Sequence, residues 1–314
     1  MGRARGLFAT VLIFLIAHPA FAETNTVYTF LRTDVSSRAA GMAGSFVGVI
    51  NDPTTIFYNP AGLSTLTTPM GSVGFFKHLL DINTGYAAYS QEIPDAGFVG
   101  ASVLYTDYGS FPRTDEAAND LGTFSAGDLA VIIGYSNLLD EHLHYGINLK
   151  YIYSSIDEFS SSGVAGDAGI LYVVPDSKVT IAASILNIGT QLEEYGSIKE
   201  DLPLDVVIGG SVVPRGIPLL LHVSFHKLNA STDDFGERFR SFRVGGEFTL
   251  GPSFQLRFGY DNEKRTDLKI GSTAGLAGFS GGIGIVVQDY RLDYALSSLG
   301  SIGEWHRVSI GFSL

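Results

Sequence analysis

The chain has 314 residues, 45% of them hydrophobic, with 38 glycines, 21 phenylalanines, 15 tyrosines and no cysteine. Its 32 acidic residues outnumber 20 basic ones, for a net charge of −12. That balance opposes nucleic-acid binding, which needs a basic footprint, and without cysteine no disulfide staples the fold.

Residues 1–22 read as an export signal. Arg3 and Arg5 form a positive start, Leu7 to Ala17 is an apolar run, and Ala20-Phe21-Ala22 is a cleavage site before Glu23. The alternative is a retained anchor, but the run is short for a spanning helix. After residue 22 no stretch offers ~18 continuous apolar residues, so no helix spans a bilayer. Positive mean hydropathy with export and no spanning helix predicts apolar residues spread over alternating strands, as in a bacterial outer-membrane barrel.

Residues 23–69 precede the first strand and are not strand-like. Ser36 or Ser37 can cap a helix running from Arg38 to Gly44. Its small residues suit close packing, or else its glycines make it weak. Asp52-Pro53 and Asn59-Pro60 each place a capping side chain before proline at the first helical position. Each starts a short helix, and the first must stop by Asn59, because a residue before proline avoids the α region. Two such turns make a compact hatch, and a wide barrel has a lumen to fill.

From residue 70 onward we expect a membrane-spanning, antiparallel, up-and-down β-barrel, all-β apart from the hatch. Its fourteen strands fall at 70–79, 83–92, 96–107, 124–137, 142–155, 163–174, 178–189, 204–213, 217–228, 239–250, 254–261, 278–288, 289–297 and 304–314. In 143–151, Leu143, Tyr145, Ile147, Leu149 and Tyr151 share one face, opposite His144, Gly146, Asn148 and Lys150. The stretches 242–250 and 254–260 alternate likewise. A soluble sandwich also alternates, with its polar face outward; hydropathy and the export signal favour lipid outside and a polar lumen. Alternate connections are short, as at Pro94-Asp95, Pro175-Asp176-Ser177 and Gly251-Pro252-Ser253. The others, including 108–123, 156–162 and 190–203, are expected to be long and polar. Short turns on one rim and long loops on the other belong to outer-membrane barrels. The stretch 304–314 alternates to Leu314 and is expected to close against the first strand.

The pattern Ser37-Arg38-Ala39-x-Gly41-x-Ala43, then Asn51-Asp52-Pro53, then Tyr58-Asn59-Pro60-Ala61-Gly62-Leu63 resembles the opening of the PorV/PorQ family, related to FadL-type fatty-acid transporters. Asp293-Tyr294-Ala295-Leu296-Ser297, Leu299-Gly300 and His306-Arg307-Val308-Ser309 resemble the PorV/PorQ end of the chain rather than the FadL one. The resemblance implies fourteen strands with the N-terminal segment folded into the lumen. It implies one of two jobs. One is an accessory barrel for protein secretion and surface attachment (type IX-like), with secreted cargo and secretion components as partners. The other is a FadL-like channel for fatty acids or other hydrophobic compounds. The hatch motif residues are Arg38, Gly41, Asp52, Pro53, Asn59, Pro60 and Gly62.

No catalytic or cofactor motif stands out, and the expectation is a non-enzyme without cofactor or metal. His222 and His226 share a strand face, as do His142 and His144, but zinc usually needs three or four convergent ligands. The enzyme alternative is a serine–histidine hydrolase on Ser224, His222 and His226. Strand spacing of about 7 Å argues against it, and it needs a partner from another strand. Lys150, Asp167, His222, His226, Arg243, Glu247 and Arg257 are expected on polar, lumen-facing positions. Some of the charged ones are candidates to pair with Arg38 and Asp52, or else only lumen water solvates them. The acidic stretch 106–128 is read as a solvated surface or a docking face. The glycine-rich stretch 274–284 is the expected place for a wall kink, were the barrel to open sideways.

Overall fold

The computed structural model describes residues 26–230, 236–269 and 274–314; the export-signal stretch 1–22 lies outside them. Fourteen strands follow in chain order: β1 (Met70–Lys77), β2 (Asn83–Ile93), β3 (Gly97–Thr114), β4 (Asp120–Asp140), β5 (Leu143–Ile156), β6 (Phe159–Val173), β7 (Val179–Glu193), β8 (Asp205–Val212), β9 (Leu219–Phe225), β10 (Phe242–Thr249), β11 (Phe254–Asp261), β12 (Phe279–Val287), β13 (Tyr290–Ser298) and β14 (Glu304–Ser313). Each pairs antiparallel with its neighbour in sequence, and β14 closes on β1 from Met70↔Ser313 to Lys77↔His306. The result is a barrel closed on itself.

The orientation of each strand, which alternation alone leaves open, is now fixed. On β5, Ile147, Leu149, Tyr151 and Tyr153 face outward, whereas His144, Asn148, Lys150 and Ser154 are buried inside. The same holds around the ring: Val73 and Phe75, Val131 and Ile133, Leu256 and Phe258, Leu292 and Tyr294, Val308 and Ile310 are all exposed. An exposed apolar belt on a closed barrel is costly in water and favourable in hydrocarbon. The molecule is therefore a bacterial outer-membrane barrel, crossing the bilayer with strands.

The wall is uneven. Strands β3–β7 have 14–21 residues, and the other nine have 7–11. Two connections expected to be long, 108–123 and 156–162, are largely strand instead, and strand runs into the start of a third, 190–203. β3 and β4 extend the hairpin to Thr114 and Asp120, stacking Phe111 on Phe124 with ring centroids 5.4 Å apart. β5 and β6 turn over at 157–158, where Asp157 takes φ 56°, and β7 continues to Glu193. Polar residues hide these extensions, because beyond the bilayer neither face of a strand has to be apolar. Asp128, counted in the acidic stretch, is on β4 and buried; it accepts from Tyr108 Oη at 2.5 Å and from Ser154.

The expected kink at 274–284 is absent from β12, which pairs with β11 and β13 without a register shift. The wall is irregular elsewhere, most tellingly between β6 and β7. There Gly166 faces Ile188 and Ala168 faces Ile185, so Asp167 opposes both Leu186 and Asn187. Asn187 takes φ 63°, a conformation that asparagine tolerates better than most residues. Above this bulge β7 loses its other neighbour, because β8 pairs with it only up to Leu186↔Asp205.

The lipid-facing assignment predicts that Leu149→Arg, in the middle of β5, destabilises the barrel by about 2–4 kcal/mol. Denaturant titration in lipid vesicles reads this. An unchanged midpoint would place Leu149 away from lipid.

Candidate functional site

Residues 26–69 run inside the barrel. Ser36 Oγ accepts from Ala39 N at 3.1 Å and starts α1 (Ser37–Gly41). The helix stops there rather than at Gly44, because Ala43 and Gly44 both take positive φ. Asp52 caps the 3-10 turn Pro53–Phe57 through Thr54 N at 3.0 Å. Asn59 caps Pro60–Thr65 through Ala61 N at 3.1 Å. Asn59 also donates to Val47 O at 2.9 Å and to Ile170 O of β6 at 3.1 Å, so one side chain ties the turn to the wall. The turn rests on Gly146 of β5, where any Cβ would collide with the Pro60 carbonyl. Gly41 backs onto Gly282 and Arg257, and Gly62 onto Thr55. On the β3–β5 side the contact is apolar: Ile56, Leu63 and Leu66 join Leu104, Ile132 and Ile152 in one buried cluster.

On the opposite side the contact is ionic. Arg38 makes a bidentate pair with Glu247 of β10, at 2.8 and 2.7 Å. Glu247 accepts from Arg257 Nε at 2.6 Å, and Arg257 Nη1 reaches Asp293 at 2.7 Å. Arg291 Nε binds Asp293 at 2.7 Å and its Nη2 binds Asp52 at 2.9 Å. Asp52 returns to Arg38 at 3.0 Å. Three arginines and three carboxylates thus alternate around a closed, neutral ring, with two members from the N-terminal segment and four from the wall. Burial alone would raise the Asp52 carboxyl, but Arg291 and Arg38 hold it well below the usual carboxylate range. Its folded-state value is depressed, so its contribution is present above about pH 4 and is lost as pH falls below that.

A second cluster lies nearer the long-loop rim. Asp34 of the segment pairs with Arg243 at 3.0 Å and Lys264 at 2.9 Å, and Arg243 Nε also meets Asp261 at 3.2 Å. Burial would raise Asp34; Lys264, Arg243 and Arg307 keep it ionised far below the usual range. Lys150 and Asp167 form a separate pair at 2.9 Å beside the β6–β7 bulge. There Lys150 Nζ also donates to Asn187 Oδ1 at 2.7 Å, and Asn148 bridges Asp167 and Ile56 O.

The histidines take three roles. His144 meets Ser64 Oγ at 2.8 Å. Gly48 N donates to His222 Nε2 at 2.9 Å, which leaves Nδ1 to carry the proton toward Ser45 Oγ at 2.7 Å. His226 Nε2 lies 2.9 Å from Ser224 Oγ, and its Nδ1 lies 3.3 Å from Asp205 Oδ2. The strand-spacing argument against a Ser224–His226 contact therefore fails. His226 is one residue past the end of β9, where the chain leaves the ladder and Lys227 turns to φ 53°, so its ring folds back onto Ser224. Among the described residues no group of three or more His, Cys, Asp or Glu side chains could hold a metal ion. A small cavity of about 50 Å³ separates the segment from the wall here, lined among others by Asp34, Val47, Asn187, Asp205, His226 and Arg243.

The structure thus brings Arg38, Asp52, Glu247 and Arg257 together and leaves Lys150–Asp167, Arg243 and the histidines in separate groups. Sequence reasoning missed Asp34, Asp205, Asp261, Arg291 and Asp293. Arg291 and Asp293 had a signal, being two opposite charges two apart on one strand face; Asp34 and Asp205 had none.

No protein-family model and no curated protein matches the chain. Solved structures do. The toluene transporter TbuX of Ralstonia pickettii superposes with a TM-score of 0.59 at 12% identity, covering 88% of this chain and 96% of that one. The monoaromatic hydrocarbon channel CymD gives 0.59 at 12%, covering 89% and 97%. A Pseudomonas aeruginosa FadL homologue gives 0.57 at 11%, covering 89% and 98%. At that identity the likeness is one of fold alone.

The ionic ring makes Arg38 the test residue. Arg38→Ala leaves Glu247 and Asp52 short of a partner and should cost about 3–5 kcal/mol. A double-mutant cycle with Asp52→Ala should show coupling of about 0.5–3 kcal/mol, read as hydrogen-exchange protection over residues 36–66. Zero coupling would mean the ring does not hold the segment.

Proposed function

We propose that this protein passes hydrophobic small molecules across the outer membrane, with residues 23–69 as a displaceable plug, 70–314 as the wall and 1–22 as the export signal. The observation that carries the reading is the near full-length likeness to channels and transporters of apolar compounds, over both wall and plug. Two local features support it. The plug is tied on one side through ion pairs that water can replace once the lumen opens. The wall beside it is weakened at the β6–β7 bulge, above which β7 has no β8 partner. The motif residues Arg38, Asp52, Asn59 and Pro60 hold the closed state, and the charged wall residues receive them.

A second reading is an accessory barrel of PorV/PorQ type for secretion and surface attachment. The β3–β4 hairpin favours it, since it outruns its neighbours and exposes Phe111 and Leu121 as a place to dock. Recovery of secretion components from native membranes would support this reading over the first.

Ser64 and Ser136 offer a lock, their hydroxyls being 2.8 Å apart across the plug and β4. In a chain without cysteine, Ser64→Cys with Ser136→Cys places two thiols within disulfide reach. The oxidised variant should lose uptake of a labelled apolar compound into vesicles and regain it on reduction. Equal uptake in both states would overturn plug displacement.

A further inference from the structure

The lumen contains a hydrogen-bonded serine, histidine and aspartate that neither transport nor secretion uses. Ser224 of β9 is fully buried; its Oγ is 2.9 Å from His226 Nε2, and Asp205, at the head of β8, is 3.3 Å from His226 Nδ1. The polarity is that of a nucleophile and its base. A carboxylate on Nδ1 fixes the proton there and leaves Nε2 free to accept from the serine. Asp205 is itself positioned, since Lys227 N donates to its Oδ1 at 2.6 Å. Each member comes from a different point of the wall: near the end of β9, one residue past that end, and the start of the preceding strand β8. No sequence proximity between Asp205 and the other two explains the contact.

The surroundings add two further pieces. Arg243 sits directly across from Ser224 in the β9–β10 register and lines the same cavity as His226 and Asp205. Its guanidinium is held by Asp34 of the plug, a partner it loses when the plug leaves, and by Asp261 of β11, which stays. The lid over the serine is also plug: Ser45 Oγ lies 3.1 Å from Ser224 Oγ. Displacing residues 44–47 would join the cavity to the space they vacate, against apolar Leu186 and Val207. In the closed state the triad is therefore covered, and Arg243 beside it is engaged by the plug.

We propose that Ser224, His226 and Asp205 form an acyl-ester hydrolase site in the barrel lumen, covered by the plug and acting on neutral carboxylic esters of apolar acids. The proposal rests on plug displacement as read above. Ser224 Oγ attacks the ester carbonyl carbon while His226 Nε2 takes the hydroxyl proton. Arg243 faces the oxyanion that develops. The carbon–oxygen bond to the alcohol breaks, and His226 returns the proton to the leaving alkoxide. Water then adds to the acyl-serine with His226 as base, releasing the acid and restoring the Ser224 hydroxyl. Water is the only co-reactant. Asp205 acts through His226 and is a positioning residue.

The test separates access from reactivity. In the full-length protein in lipid, Ser224→Cys supplies the only thiol, and its modification by a small thiol reagent reports whether position 224 opens to the lumen. Native Ser224 is then exposed to a fluorophosphonate probe and the adduct located by mass spectrometry. The expected result is thiol modification of Ser224→Cys together with phosphonylation of native Ser224. His226→Ala and Asp205→Asn should slow phosphonylation at least ~100-fold, the lower range of a general-base contribution. In the same backgrounds Ser224→Cys should still be fully modified at high pH, where the thiolate forms without a neighbouring base, so that lost phosphonylation is not lost access. Thiol modification without phosphonylation overturns the hydrolase and leaves plug displacement standing. Failure of Ser224→Cys to react, even with Arg38→Ala to loosen the plug, overturns both. Phosphonylation insensitive to His226 and Asp205 also overturns the triad.

Discussion

A sheet in hydrocarbon has to close, because no water is there to satisfy an unpaired edge. Closure dictates the rest of this molecule. The β14–β1 ladder from Met70 to Lys77 closes the ring, and alternation then sends every second side chain to lipid and its neighbours inward. With the exterior given over to Val, Ile, Leu, Phe and Tyr, charge in the middle of the strands turns to the lumen, where Lys150, Asp167, Glu247, Arg257, Asp293 and Arg307 are buried. A lumen of that kind is stable only if its ions find partners, and the four wall members of the ring, though balanced in charge, form an open chain ending at Glu247 and Arg291. Arg38 and Asp52 complete the ring that Glu247, Arg257, Arg291 and Asp293 leave open.

The two sides of the N-terminal segment contrast in kind. Against β3–β5 it packs Ile56, Leu63 and Leu66 into an apolar cluster; against β10–β13 it is held by charge. Apolar burial resists separation over a range of solution conditions, whereas a buried ionic ring gives orientation more than net stability, because desolvation offsets much of the attraction. The segment is thus held by apolar burial on one side and registered by charge on the other. The β6–β7 bulge, the small cavity and the Ser224–His226–Asp205 chain all lie between these two regions, where polar contacts mix with a small apolar cluster of Val47, Ala61, Leu171, Ala182 and Val207.

Much of the fold was legible from the chain. Period-two alternation located all fourteen strands, because lipid enforces it on each. Asp52-Pro53 and Asn59-Pro60 announced their turns, because a capping side chain before a φ-restricted residue has few other uses. The strand extensions of β3, β4 and β7 were not legible, since outside the bilayer the pattern relaxes. Nor were the pairings. The expectation that Arg38 and Asp52 meet wall charges named the right kind of interaction, but the ring depends on strand register, which sets Glu247 opposite Arg257. The Ser224–His226 contact escaped for a different reason: an ideal strand was assumed where the strand had ended.

The unequal height of the wall has a consequence for the membrane itself. Strands β8–β13 hold 7–9 residues, which at ~3.3 Å rise and ~40° tilt span about 18–23 Å, short of the ~25 Å apolar band usual for such barrels. Lipid beside this arc has to thin, at a cost of fractions of a kcal/mol per ångström, while lipid beside β3–β7 does not. The barrel therefore carries a lopsided lipid collar, which gives it a preferred lean in the bilayer and a favoured azimuth toward any neighbour that also thins the membrane.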